Sequence, residues 1–236
     1  MYEQILAEIE ADSFYHDNFP NDGQRFVAWY LRRVLLMDIY ETKAAITDGQ
    51  NDKQIDAIVV EDGEDRLIRI IQGKFIAPEI INAEPLREIL SAWTRLKNLP
   101  QLQLECSGKL AERLEAMRIA LDDEYDLQFE LLTTGRLSPA ALTDFDAFRT
   151  EMADDEGLDA ELTLVDSSTL LTRLLEAEQR DLPELSCEIK VEPDIGASFF
   201  KKLTFGLCWL FSQLNVAWNC LESRTASFFV AMLDKV

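Results

Sequence analysis

The spacing of apolar positions along this chain changes several times, and each change marks an element. Between Gln24 and Asp38 the apolar residues Phe26, Val27, Tyr30, Leu31, Val34, Leu35 and Met37 recur with helical period. Asp22 stands where a helix cap is expected. Met1–Glu10 predicts a shorter helix. Tyr15–Gly23 predicts a loop, because Pro20, Asn21, Asp22 and Gly23 are turn residues. Ile39–Thr47 reads as extended, and the polar run 48–53 as a turn. From Ile55 to Val60 the period becomes two. Glu61–Asp65, with Gly63 at its centre, predicts a tight hairpin turn. Leu67–Phe75, LIRIIQGKF, then returns as a strand of the type buried on both faces.

Downstream, helical stripes predict elements over Leu86–Leu99, Lys109–Ala120, Pro139–Met152 and Ser167–Gln179. Ser138 is the expected cap of the third, with Pro139 at its first position. Strands are expected over Asp126–Thr133, Ala160–Val165 and Ser186–Val191. This alternation predicts an α/β domain with a mixed sheet flanked by helices, spanning residues 1–195. After it comes an apolar segment, residues 196–236, that holds only two of the chain's 44 acidic residues but four of its 23 basic ones. Lys201, Lys202, Gln213, Asn215 and Asn219 interrupt it too often for a membrane span. It is expected to form a helix that packs on the body, on a second copy of the chain, or on a missing carboxy-terminal domain.

Charge alters the functional expectation. The net charge of −21 repels phosphate backbones at long range. A bound divalent cation reverses that locally, so the acidity disfavours a nuclease without excluding one. The four cysteines, 106, 187, 208 and 220, lack the spacing of a zinc site or a disulfide framework. With an amino terminus unlike a signal peptide, they predict a cytoplasmic protein. His16 is the only histidine, so no histidine-based triad forms without it. No phosphate-cradling glycine loop occurs. The four tryptophans lie on apolar stripes and are expected in the core.

One constellation carries chemistry. Asp56 opens the first strand of the hairpin, while Gln72 and Lys74 close the second. Residues 72 and 74 share a face, and Asp56 joins it if the register allows. A carboxylate and an amide oxygen suit Mg²⁺ (or Mn²⁺), which takes oxygen ligands and keeps several waters. Such a cation lowers the pKa of a bound water and polarises a phosphoryl oxygen. The lysine serves the attacking water and offsets developing charge. Asp48 and Asp52 read first as turn residues.

These residues also carry a resemblance. The run TDGQNDKQIDAIVVEDGEDRLIRIIQGKF, with fifteen residues between Asp56 and Gln72-x-Lys74, resembles the PD-(D/E)XK nuclease core in its Mrr-like form, in which glutamine replaces the second acid. It is similar to the amino-terminal domain of the AIPR (abortive infection phage resistance) family over residues 24–76. The resemblance implies a restriction-endonuclease-like core, about 24–135, and metal-dependent hydrolysis of phosphodiester bonds in nucleic acid, DNA or RNA with DNA favoured, as part of phage defence. Leu210–Ala226 weakly resembles a segment opening that family's later region, which implies a shortened relative. Related cores carry a glutamate on the first helix. Here Val27 occupies that place, and Glu41 is the nearest acid able to serve as the second metal ligand. An inactive nuclease-like module acting through protein contacts is the alternative.

Overall fold

The computed structural model describes residues 1–47, 53–63, 66–77 and 80–180. The expected strand at 186–191, the apolar segment 196–236, Asp48 and Asp52 lie outside these residues. In chain order the elements are α1 (Tyr2–Ala11), α2 (Ser13–Asn18), α3 (Asp22–Arg33), α4 (Ile39–Ala45), β1 (Ala57–Glu61), β2 (Leu67–Lys74), β3 (Ile80–Ile81), α5 (Glu84–Leu96), α6 (Leu99–Glu105), α7 (Gly108–Asp122), β4 (Asp126–Thr133), β5 (Arg136–Leu137), α8 (Pro139–Ala153), β6 (Glu161–Val165) and α9 (Ser167–Arg180).

Four strands make a mixed sheet in the order β1-β2-β4-β6. β1 and β2 are antiparallel, with Ala57 opposite Ile71 and Glu61 opposite Leu67. β2 and β4 run parallel, as do β4 and β6. A two-residue parallel pair joins β3 to β5. Alternation sorts the strand residues onto two buried faces. Ile58, Ile68, Ile70, Leu127, Phe129, Leu131 and Leu162 pack under α5, α6, α7 and α8. Ala57, Val59, Ile71, Leu132 and Val165 pack under α1, α2, α3 and α9. The sheet is therefore the middle of three layers, which is why β2 and β4 read as nearly unbroken apolar runs. Among the described residues, no helix is long and apolar enough to cross a membrane.

Three local expectations are corrected. Most of the segment expected as a loop is helical. Asp12 Oδ1 accepts from Phe14 N at 2.9 Å to start α2, and Asn21, not Asp22, caps α3 by accepting from Gln24 N at 2.8 Å. Ile39–Thr47 is not extended over most of its length. Asp38 and Glu41 close a capping box that starts α4, and only Ile46 bridges to Ala57. The helix expected over Leu86–Leu99 stops at Leu96, and α6 begins at Leu99 with Pro100 in its first turn.

The polar residues inside the strands are satisfied on the α3 face by one network. Glu130 is fully buried. It accepts from Tyr30 Oη at 2.9 Å, Arg69 Nη1 at 2.6 Å and Arg173 Nη1 at 2.7 Å. Arg69 also reaches Glu61 at 2.6 Å and Gln128 at 2.6 Å. This ties α3 and α9 to β1, β2 and β4. Burial and the neighbouring Glu130 charge push the Tyr30 phenol far above its usual range. For Arg69, burial opposes the charge, but the bond to Glu61 and the charge of Glu130 more than offset it, so its pKa is raised.

Candidate active site

The site lies where β2 ends beside its parallel neighbour β4. In open α/β sheets ligands gather outside the carboxyl ends of parallel strands. Here the strand ends are locked together. Thr133 Oγ1 donates to the Lys74 carbonyl at 3.1 Å, and Ile76 N donates to Thr134 Oγ1 at 3.1 Å.

Asp56 enters β1 from a constrained lead-in. Lys53 and Gln54 both sit at positive φ, 55° and 69°. Each such non-glycine residue costs on the order of 1–3 kcal/mol and persists only where its surroundings enforce it. Thr47 supplies part of that enforcement, donating from Oγ1 to the Ile55 carbonyl at 2.7 Å and from its backbone N to the Asp56 carbonyl at 3.0 Å. Asp56 N donates to the Ile71 carbonyl at 3.1 Å. The Asp56 side chain supplies the next acceptor along β2. Its Oδ2 accepts from Gly73 N at 2.7 Å.

The carboxylate thus meets the backbone between Gln72 and Lys74. A strand N–H points along the plane of its sheet, so Asp56 sits at the sheet's rim. Gln72 and Lys74 follow Ile70 in the alternation and share its face, toward α5. Asp56 therefore stands in the plane of the sheet beside Gly73, while Gln72 and Lys74 stand on the face toward α5. Gln72 is 6% exposed, and its Oε1 has no hydrogen-bond partner. A buried acceptor left unpaired costs about 1–3 kcal/mol. Lys74 is half-buried, with Nζ 2.7 Å from Glu88 Oε2 on α5.

Gly73 explains how closely α3 approaches. A Cβ there would stand 2.5 Å from Val27 Cγ2 and 3.6 Å from Asp56 Oδ2. Val27 is fully buried and pressed against the strand at Gly73. Glu41, expected as the second ligand, takes part in the capping box of α4. Its Oε2 accepts from Asp38 N at 2.9 Å at the exposed start of α4. Glu88 was not singled out by its sequence. In a helix with charges at 84, 87, 88 and 95, only the register of α5 against β2 distinguishes it. His16 lies in the last turn of α2.

Comparison of the chain with family models, with curated proteins and with solved structures gives no match.

Among the described residues, no three His, Cys, Asp or Glu side chains are grouped to hold a metal ion. The donors at the rim are the Asp56 carboxylate and the orphaned Gln72 amide oxygen. That set does not make an all-protein cage. It fits a hard cation such as Mg²⁺ or Mn²⁺, which keeps several waters and uses one or two carboxylates.

Proposed function

We propose that this chain is a metal-dependent nuclease that hydrolyses phosphodiester bonds, with DNA its substrate rather than RNA. The observation that carries the reading is the meeting of Asp56, the buried and unpartnered Oε1 of Gln72, and Lys74 at one strand end. A restriction-endonuclease-like core of the AIPR type, acting in cytoplasmic phage defence, is the context proposed for it.

Asp56 and Gln72 Oε1 would hold the cation, which when bound supplies a water of lowered pKa and polarises the phosphoryl oxygen. Asp56 is fixed for this by Gly73 N, so its carboxylate needs little reorganisation. Gln72 is already desolvated, and its orphan oxygen gains a partner. Lys74 brings a positive charge to a very acidic protein at the point where a phosphodiester must approach. Its ammonium can orient the attacking water and offset charge that develops on the phosphoryl group. On the exposed side of α5, Arg87 and Arg95 border a shallow depression with Leu90, Ser91 and Thr94. They add cationic surface to the helix that faces Lys74.

Two observations favour a second reading, an inactive nuclease-like module. Lys74 is already ion-paired, and Val27 offers no acid from α3. Purified protein incubated with plasmid DNA and with single-stranded RNA, in Mg²⁺, Mn²⁺ or chelator, separates the two. Cutting that needs the metal supports the nuclease. A folded protein that cuts neither substrate with either metal leaves only the inactive module.

A further inference from the structure

We infer that Glu88 is the second carboxylate of the cation site, delivered from α5 instead of α3. The inference rests on the reading of the Asp56–Gln72–Lys74 rim as a cation site, and it supplies the acid that the rim lacks.

α5 lies on the sheet face to which Gln72 and Lys74 point, anchored there by Leu86, Ile89, Ala92 and Trp93. This places Glu88 over the end of β2. Its Oε2 is closed off from solvent and lies 2.7 Å from Lys74 Nζ. The contact lacks the angles of a directed hydrogen bond. Closing one carboxylate oxygen off from solvent against an undirected ion contact is a poor source of stability. It is a reasonable arrangement for a ligand waiting for a stronger cation. The independent sign that something else binds here is Gln72, nine-tenths buried on the same face, with an oxygen that has no partner.

Charge balance points the same way. Asp56, Glu88 and Lys74 together carry −1. Adding a divalent cation brings the cluster to +1, suited to one phosphodiester. With the cation absent, Lys74 neutralises Glu88. With it present, Glu88 turns to the metal and Lys74 is released toward water and phosphate. Glu88 therefore couples arrival of the cation to freeing of the lysine.

The test is a Mn²⁺ titration of the full chain, followed by electron paramagnetic resonance, in about 0.2 M KCl to screen the surface carboxylates. Wild type is compared with Asp56→Asn, Glu88→Gln and Lys74→Met, each checked for fold by circular dichroism. The expected result is an Asp56-dependent Mn²⁺ site that Glu88→Gln weakens about tenfold or more. Lys74→Met leaves it as tight or tighter, because a competitor for Glu88 is gone. If Glu88→Gln binds like wild type while Asp56→Asn does not, Glu88 is no ligand and the inference falls alone. If Glu88→Gln and Lys74→Met lose thermal stability equally with Mn²⁺ affinity unchanged, Glu88 is a structural ion-pair partner and the inference again falls. If wild type shows no Mn²⁺ site sensitive to Asp56, the cation site itself is wrong, and the inference falls with it.

Discussion

Gly73→Ala is the substitution that best probes how α3 holds the candidate site. The added Cβ would lie 2.5 Å from Val27 Cγ2. Carbon atoms in good contact stand about 3.5–4.0 Å apart, so something must move by about 1 Å. Val27 cannot swing aside, since it is β-branched, helical and fully buried. Overpacking of this kind costs about 1–3 kcal/mol. Removing glycine's freedom in the unfolded chain returns about 0.4–1 kcal/mol. The net expectation is a loss of about 1–2 kcal/mol. Val27→Ala alone deletes two buried methyl groups, for about 2 kcal/mol with its cavity. In the double variant the new methyl enters the space that Val27 vacates. Its cost should therefore fall at least about 1 kcal/mol short of the sum of the single costs. Urea denaturation followed by the fluorescence of buried Trp29, on the same helix, measures all three variants. Costs that add within about 0.5 kcal/mol would refute the contact and the placement of α3 against β2.

Other consequences are as direct. Glu130→Ala leaves Arg69 and Arg173 without their shared buried partner and should cost about 3–5 kcal/mol, read from denaturation midpoints; a loss below 1 kcal/mol would mean the network does not hold α9. At the start of α9, Asp166 accepts from Ser168 N and Thr169 N, each at 3.0 Å. Partial burial acts to raise the Asp166 pKa, but the bonds from Ser168 and Thr169 outweigh it and leave the pKa lowered. Its contribution is then fully present above the ordinary aspartate range and disappears as pH falls below it. Asp166→Ala should cost about 1 kcal/mol at pH 7 and progressively less below about pH 4; a pH-independent cost would contradict this. Replacing both Arg87 and Arg95 with Gln should weaken binding of duplex DNA and flatten its dependence on salt, measured by fluorescence anisotropy; an unchanged salt slope would exclude α5 from the DNA surface.

The hairpin was legible because two signals agreed. Period-two apolar positions and the Gly63 turn fix both the strands and the pairing that sets Ala57 opposite Ile71. The strand order β1-β2-β4-β6 was not legible, since it depends on which parallel crossovers bury which helix. α4 was missed although its signal was there. Asp38 and Glu41 stand at capping-box spacing, but Ile39, Thr42, Ile46 and Thr47 pull the reading toward a strand. α2 was missed because the turn-forming residues before Gly23 include the cap of α3. Asp56, Gln72 and Lys74 were singled out by spacing and by the resemblance, but the bond from Gly73 N to the Asp56 carboxylate was not legible. A side chain that accepts from the Gly73 backbone in place of a ladder carbonyl leaves no mark on the periodicity of the chain. Glu88 looks like any helical glutamate until α5 is laid over β2.

The most direct test of the nuclease reading is a single-turnover rate of cutting on duplex DNA with Mg²⁺, for wild type, Asp56→Asn and Lys74→Met. Asn retains an oxygen to accept from Gly73 N while losing the charge, so the rim should keep its shape. The account expects cutting that chelator abolishes, and a loss of about 10²-fold or more from each substitution in a folded protein. Equal rates for all three proteins, or no metal-dependent cutting by folded wild type, would contradict it.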